Sequence, residues 1–203
     1  MKKNKRWYLF GVLILCFLVI LISILMGRNL FIDNFIYPNN LRTDFLTKIV
    51  KIVTFLGDKY FMAFLVIVIA AILFVKKKRR TSILMCFNLA NIVILNKVIK
   101  YIVARPRPAT MIIEKDGFSF PSGHSMLSIG IYGFLIYLVN KSNLSKKLKN
   151  CLTIVLSLII VLVGFTRLYL GVHYPSDIIG GYLLTGAYLI AFITLINRKS
   201  LKK

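Results

Sequence analysis

Residues 7–26 read WYLFGVLILCFLVILISILM, twenty consecutive positions without a charge. A helix of that length covers the ~30 Å hydrocarbon core of a bilayer at 1.5 Å per residue. Lys2, Lys3, Lys5 and Arg6 precede it, as they would precede either a signal peptide or a first span. The run exceeds the ~7–15 apolar residues of a signal peptide and no small-x-small cleavage site follows, so it reads as a retained first span. The whole chain has the same character: 58% of its 203 residues are hydrophobic. That is above the ~45–50% of a soluble domain and far too apolar for disorder.

Working outward, five further spans are expected at Tyr60–Val75, Thr81–Tyr101, His124–Val139, Cys151–Leu170 and Ser176–Ile196. The fold class is therefore all-α: a polytopic six-transmembrane-helix bundle, one membrane-embedded domain over residues 1–203. Asn88, Asn91 and Asn96 inside the third span are expected to make interhelical hydrogen bonds. Cys16, Cys86 and Cys151 lie in or beside apolar runs, where a thiol is expected as a small buried hydrophobe. Three cysteines make no disulfide framework.

The formal charge of +22, from 28 Lys and Arg against 6 Asp and Glu, would ordinarily suggest nucleic acid. Its distribution excludes that reading. Seventeen of the 28 basic residues fall at the N-terminus, in Lys76–Arg80 (KKKRR), in the 140–150 loop and after Asn197, with no acid among them. Asp33, Asp44, Asp58, Glu114, Asp116 and Asp177 all lie in the other three connections. By the positive-inside rule both termini and the basic loops are cytoplasmic. Residues 27–59 are too polar to cross. Within them Phe45, Leu46, Ile49, Val50, Ile52, Val53 and Leu56 recur at helical spacing. They fit an interfacial amphipathic helix beside a site or a short helix packed on the bundle's outer end.

Three clusters meet at that outer end. They are Lys100 with Arg107-Pro108, then Pro121-Ser122-Gly123-His124, then Arg167 with His173 and Asp177. Four helix ends thus deliver three cations, both histidines of the chain and one carboxylate to one leaflet. Such a group suits phosphoryl transfer. Lys and Arg stabilise charge on phosphoryl oxygens. Ser122 and Gly123 at a helix start offer a hydroxyl and backbone N–H groups. A histidine serves as nucleophile or general acid. Pro175 suits a first helical position, which puts Asp177 within reach of His173 in the orienting role of a triad carboxylate. Lys97, Arg105 and Lys115 read as cations that snorkel to the interface. Two histidines and a few acids could also ligate Zn²⁺, but Lys100, Arg107 and Arg167 would repel a cation, so no metal is expected.

In order and spacing, the three clusters resemble the signature of the type 2 phosphatidic acid phosphatase superfamily, K-x6-R-P, P-S-G-H and S-R-x5-H-x3-D. The likeness covers Lys100 to Asp177 and departs once, where Thr166 replaces the serine before Arg167. The resemblance implies a helical bundle that needs no metal or other cofactor. It implies that His173 attacks phosphorus, Asp177 orients it, and His124 protonates the leaving oxygen. Lys100, Arg107, Ser122, Gly123 and Arg167 would bind the phosphate. The implied activity is a lipid phosphate phosphatase whose partners are its substrate and the bilayer, with no nucleic acid and no obligatory protein partner. The implied location is a bacterial plasma membrane with the site on the extracytoplasmic side. A Lys-, Ile- and Asn-rich composition suits a bacterium of low GC content. Undecaprenyl diphosphate ranks narrowly ahead of phosphatidylglycerophosphate as substrate. A lipid phosphotransferase and a non-catalytic lipid-phosphate transporter are the competing readings.

Overall fold

The computed structural model describes residues 2–28, 30–35 and 42–200. Its helices are α1 (Lys2–Leu25), α2 (Asp44–Phe55), α3 (Lys59–Val75), α4 (Arg79–Val103), α5 (Gly123–Lys141), α6 (Lys146–Tyr169) and α7 (Pro175–Ser200). A 3-10 turn spans Phe31–Asn34, and there is no strand among the described residues. Four helices open on a capping side chain. Thr43 Oγ1 accepts from Leu46 N at 3.2 Å and Asp58 Oδ1 from Tyr60 N at 2.8 Å. Ser122 Oγ accepts from Ser125 N and Ser145 Oγ from Leu148 N, each at 3.4 Å. Each cap satisfies an amide that the first turn leaves unpaired. The cap at Ser145 explains why α6 starts at Lys146 rather than at Cys151. Lys146 and Lys147 stay on the helix with exposed side chains.

Helices α1, α4, α5, α6 and α7 are long and apolar enough to cross a bilayer. Helix α3 has 17 residues; at 1.5 Å each it measures about 25 Å, the short end of the range for a spanning helix. With α2, from which it bends by 43°, it forms a broken sixth candidate. The Tyr60–Val75 stretch lies within α3, which with α2 makes up that sixth candidate.

Helix α5 packs on α3, α4, α6 and α7. Met126, Ile131 and Phe134 of α5 are fully buried against Met62, Met85 and Ile92. Helix α1 packs on α7 and buries only Phe17 among its large apolar residues, while Leu15, Val19 and Ile22 face outward. Comparable apolar rows face outward on α4 and α6, including Phe87, Ile94, Leu158 and Val161. Surface of that extent is an aggregation hazard in water and an ordinary contact with lipid. It also corrects the expectation for the thiols. Cys16, Cys86 and Cys151 are free and exposed on the outward faces. Buried Asn88 bridges α4 to α5 through Gly130 O at 2.9 Å, and Asn96 reaches Pro121 O at 3.0 Å. Asn91 instead bonds Phe87 O one turn back on its own helix.

Of residues 27–59, positions 29 and 36–41 lie outside the described residues. One face of α2 packs Leu46 and Val50 on Tyr169, Leu170 and Val172 beyond the end of α6. The opposite face leaves Phe45, Ile52 and Phe55 exposed. The packed-helix reading therefore describes one face of α2, and an interfacial character the other.

Candidate active site

The end of α4, the start of α5, the end of α6 and the start of α7 converge, as the charge pattern requires. The Lys100 ammonium donates to Phe118 O, and to Ser119 O at 3.4 Å, tying α4 to the segment before α5. Arg107 spreads its guanidinium over three backbone carbonyls: Gly117 O at 3.1 Å, Val172 O at 2.8 Å and Asp116 O at 3.1 Å. Ser122 is fully buried, and its N–H donates to the backbone oxygen of Asp177 at 3.0 Å. This joins the start of α5 to the start of α7. Gly123 and half-buried His124 occupy the first turn of α5, where amides have no intrahelical acceptor.

Arg167 is 1% exposed, with Nη1 donating to Thr54 Oγ1 at 2.7 Å. Its Nε is buried with no hydrogen-bond partner among the described residues. A buried guanidinium donor left unpaired is costly, and an anion is the group that would satisfy it. Beyond Arg167 the chain turns at Gly171, whose φ of +67° suits glycine. A Cβ there would lie 2.2 Å from Thr110 O. That turn delivers His173 into the interior.

His173 is 5% exposed, and its Nδ1 stands 3.4 Å from Asp177 Oδ2. The contact is too loose to count as a formed hydrogen bond. Burial holds the imidazole down at about 4; Asp177 opposes that shift, while Arg167 and Lys100 reinforce it. His173 is therefore neutral at physiological pH, with a lone pair available.

Arg105, read from sequence as an interfacial cation, is instead the hub behind His173. Its Nη1 meets Asp177 Oδ1 at 2.7 Å and its Nη2 meets Asp33 Oδ2 at 2.7 Å. Its Nη1 also donates to Ser176 Oγ at 2.7 Å, and its plane lies 4.0 Å from the Tyr174 ring centroid. Asp33 in turn accepts from Ser176 N at 2.9 Å and Ser176 Oγ at 2.8 Å. Burial works against the Arg105 charge, but Asp177 and Asp33 outweigh it and raise the group above its ordinary value. The Asp177 carboxylate is thus divided. Oδ1 is held by Arg105, while Oδ2 takes Tyr174 N at 2.9 Å and faces His173.

Sequence reading also missed Asp33, Thr54 and Gly57. A Cβ on Gly57 would stand 2.5 Å from Val163 Cγ1 and 3.2 Å from His124 Cδ2, so the α2–α3 elbow is seated directly on the histidine. The one signal available for Arg105 was Arg-Pro-Arg at 105–107. Proline extends the residue before it, and extended chain sends residues two apart to one face. Asp33 carried no local signal, since its partners lie 72 and 143 positions away.

The void adjoining His173 measures about 10 Å³, too small for a phosphate group. Thr166 keeps its hydroxyl on its own helix, donating to Val163 O at 2.6 Å.

The family model of the PAP2 superfamily matches residues 60–201. The phosphatidylglycerophosphatase B of Bacillus subtilis (strain 168) is 36% identical over 146 residues, covering 71% of this chain and 72% of that protein. The undecaprenyl-diphosphatase of Sulfolobus acidocaldarius is 30% identical over 194 residues, covering 88% and 87%. The crystal structure of a transmembrane PAP2-type phosphatidylglycerolphosphate phosphatase from Bacillus subtilis superposes with a TM-score of 0.80 at 29% identity, covering 97% of this chain and 98% of that one. With its signature residues gathered at one end of a helical bundle and the family match spanning most of its length, this chain belongs to the PAP2 superfamily.

Proposed function

We propose that this chain is an integral-membrane lipid phosphate phosphatase that works through a phosphohistidine at His173 without a metal. The observation that carries the reading is a buried, neutral His173 backed by Asp177 and placed among three cations whose partners are not carboxylates. With Nδ1 protonated towards Asp177, Nε2 holds the lone pair that attacks phosphorus. The bond between phosphorus and the lipid oxygen breaks, and His124 gives its proton to that oxygen. His124 then takes a proton from water, the hydroxide attacks phosphorus, and the phosphorus–nitrogen bond breaks to release inorganic phosphate. Lys100, Arg107, Arg167, Ser122 and Gly123 hold the phosphoryl oxygens, and the cations stabilise charge as it develops. Arg105 and Asp33 act at one remove, keeping Asp177 aimed at His173.

Six crossings, with the α2–α3 elbow as the broken one, place both termini at the basic end. The positive-inside rule makes that end cytoplasmic and the site extracytoplasmic. The substrate class is a lipid monophosphate or diphosphate. Phosphatidylglycerophosphate is the first to test, because the 36% identical relative and the structure with a TM-score of 0.80 both carry that activity in their names. This reverses the order favoured by sequence alone.

The test is phosphate release by purified protein from both lipids in EDTA, beside His173→Ala. Hydrolysis that persists in EDTA and drops by about four orders of magnitude in the variant is the expected result. Full activity in His173→Ala would overturn the mechanism. Transfer of labelled phosphate to a second lipid rather than to water would make the enzyme a phosphotransferase.

A further inference from the structure

A cavity of about 540 Å³ lies at the end of the bundle opposite His173, between the end of α3, the start of α4 and the ends of α5 and α7. Its volume is that of a small-molecule site, within the usual range of roughly 300–1,000 Å³. The depth is apolar, with Ile69, Leu73, Leu84, Phe134, Leu135 and Leu138 among its walls.

The mouth is cationic, formed by Lys78, Arg80 and Lys141. Two of these side chains are pinned across it. Arg80 Nη2 donates to Ile196 O at 3.0 Å, and Lys141 Nζ donates to Asn197 Oδ1 at 2.6 Å. Tyr137 OH donates to the same Asn197 oxygen at 2.8 Å. Among the described residues no aspartate or glutamate pairs with any of the three cations. Every acid of the chain lies in a connection at the other end or, as Asp177, in the first turn of α7 there. Helix α4 also begins here with no acid in its first turn and no side-chain cap. Its positive dipole end therefore adds to the cations instead of offsetting them. The site lacks a negative charge attached to an apolar chain.

We propose that this cavity binds one anionic phospholipid of the adjoining leaflet. Lys78, Arg80 and Lys141 hold its phosphate, and an acyl chain fills the cleft between α3 and α5. Charge complementarity and the apolar depth together select this occupant. A free anion would leave the depth unfilled, and a zwitterionic lipid would bring a positive group to three cations. The proposal is independent of the reaction at His173.

The experiment is native mass spectrometry of the delipidated full chain, given phosphatidylglycerol or phosphatidylcholine with identical acyl chains. One phosphatidylglycerol should be retained in preference to phosphatidylcholine. Arg80→Gln and Lys141→Gln should each weaken its retention roughly fivefold, the usual effect of one juxtamembrane cation on an anionic lipid. Lys141→Arg should keep it, and Leu84→Trp, which fills the cleft, should abolish it. Lys141 is exposed, so its substitution gives a folded reference if the tryptophan variant does not fold. Equal retention of phosphatidylcholine, unchanged retention in Lys141→Gln, or displacement of the lipid by inorganic phosphate alone would overturn the proposal. So would loss of the bound lipid in Arg107→Ala, which would place it at the opposite end.

Discussion

The two ends of the bundle hold the same cationic side chains in opposite company. Around His173, Arg105 is clamped between Asp33 and Asp177 at 2.7 Å on each side, with its guanidinium side chain 12% exposed. Around the far cavity, Arg80 bonds a carbonyl and Lys141 an amide oxygen, with the Tyr137 ring 5.0 Å from the Lys141 ammonium. The contrast separates two uses of a positive charge. A cation paired with buried carboxylates fixes geometry, and its removal strands charges in the interior. A cation that meets only neutral oxygens keeps its field for something outside the chain, whether a phosphate or a lipid headgroup. Arg105 and Arg107 show both uses two residues apart, since Arg107 holds carbonyls only.

The largest effect that tests this contrast is on stability. Arg105→Ala leaves Asp33 and Asp177 buried without their cation, and should cost about 3–5 kcal/mol. Lys141→Ala at the other end should stay within about 0.5 kcal/mol, as an exposed residue without a carboxylate partner. Denaturant unfolding of the purified proteins in detergent measures both. Arg105→Lys should recover only part of the loss, because an ammonium cannot reproduce a fork that reaches two carboxylates. Equal changes at the two ends would break the comparison.

That asymmetry also marks what was legible in the sequence. The apolar runs announced the helices because each must cover a bilayer's thickness with uncharged residues. The basic blocks announced which helix ends share a side. Lys100, Arg107, His124, Arg167, His173 and Asp177 could be picked out because they stand near helix ends at the spacings of the family's signature. Arg105 lay beside those motifs but was assigned to the interface, since a lone cation carries no mark of its partner. Its partner Asp33 belongs to a segment where no periodicity leads to α7, and only the folded chain brings the two together. The elbow at Gly57 was hidden for a related reason: its role is an absent side chain against His124.

Gly57→Ala tests whether that elbow is part of the site. The new methyl would press on Val163 and His124, and overpacking of this kind costs about 1–3 kcal/mol. The damage should fall on kcat more than on KM, because the displaced group is the proposed proton donor and not one of the cations proposed to hold phosphate. A raised KM with unchanged kcat would remove His124 from the elbow's influence.

The electrostatics at His173 give a smaller and more direct reading. The chain has two histidines, so tag-free His124→Asn leaves a single imidazole whose NMR titration reports His173. Its midpoint should lie near 4 and not near the ordinary 6.5, because burial disfavours the imidazolium. The sign for stability follows. The unfolded chain takes up the proton as pH falls through about 6.5, while the folded one does so only near 4. Stability should therefore decline on acidification across that window. A midpoint near 6.5 would place His173 in solvent and withdraw the buried-nucleophile reading.

Thr166 should give the smallest effect, and it refines the division between paired and outward-facing groups. The position departs from the family pattern by a methyl group, and its side chain is 2% exposed. Its hydroxyl donates to Val163 O at 2.6 Å, inside α6, so in this geometry it is not a phosphate donor. Thr166→Ser should cost no more than about 0.8 kcal/mol, the value of one buried methylene-sized group, and should leave KM for the lipid phosphate unchanged. Thr166→Val removes the hydroxyl while keeping the shape. It should also keep KM, although the lost hydrogen bond should lower stability by about 1 kcal/mol. A tenfold rise in KM for the valine variant alone would mean that the hydroxyl leaves Val163 when phosphate arrives. Thr166 would then join Lys100 and Arg107 as a proposed phosphate contact, and the group that serves only geometry would shrink to Arg105, Asp33 and Asp177.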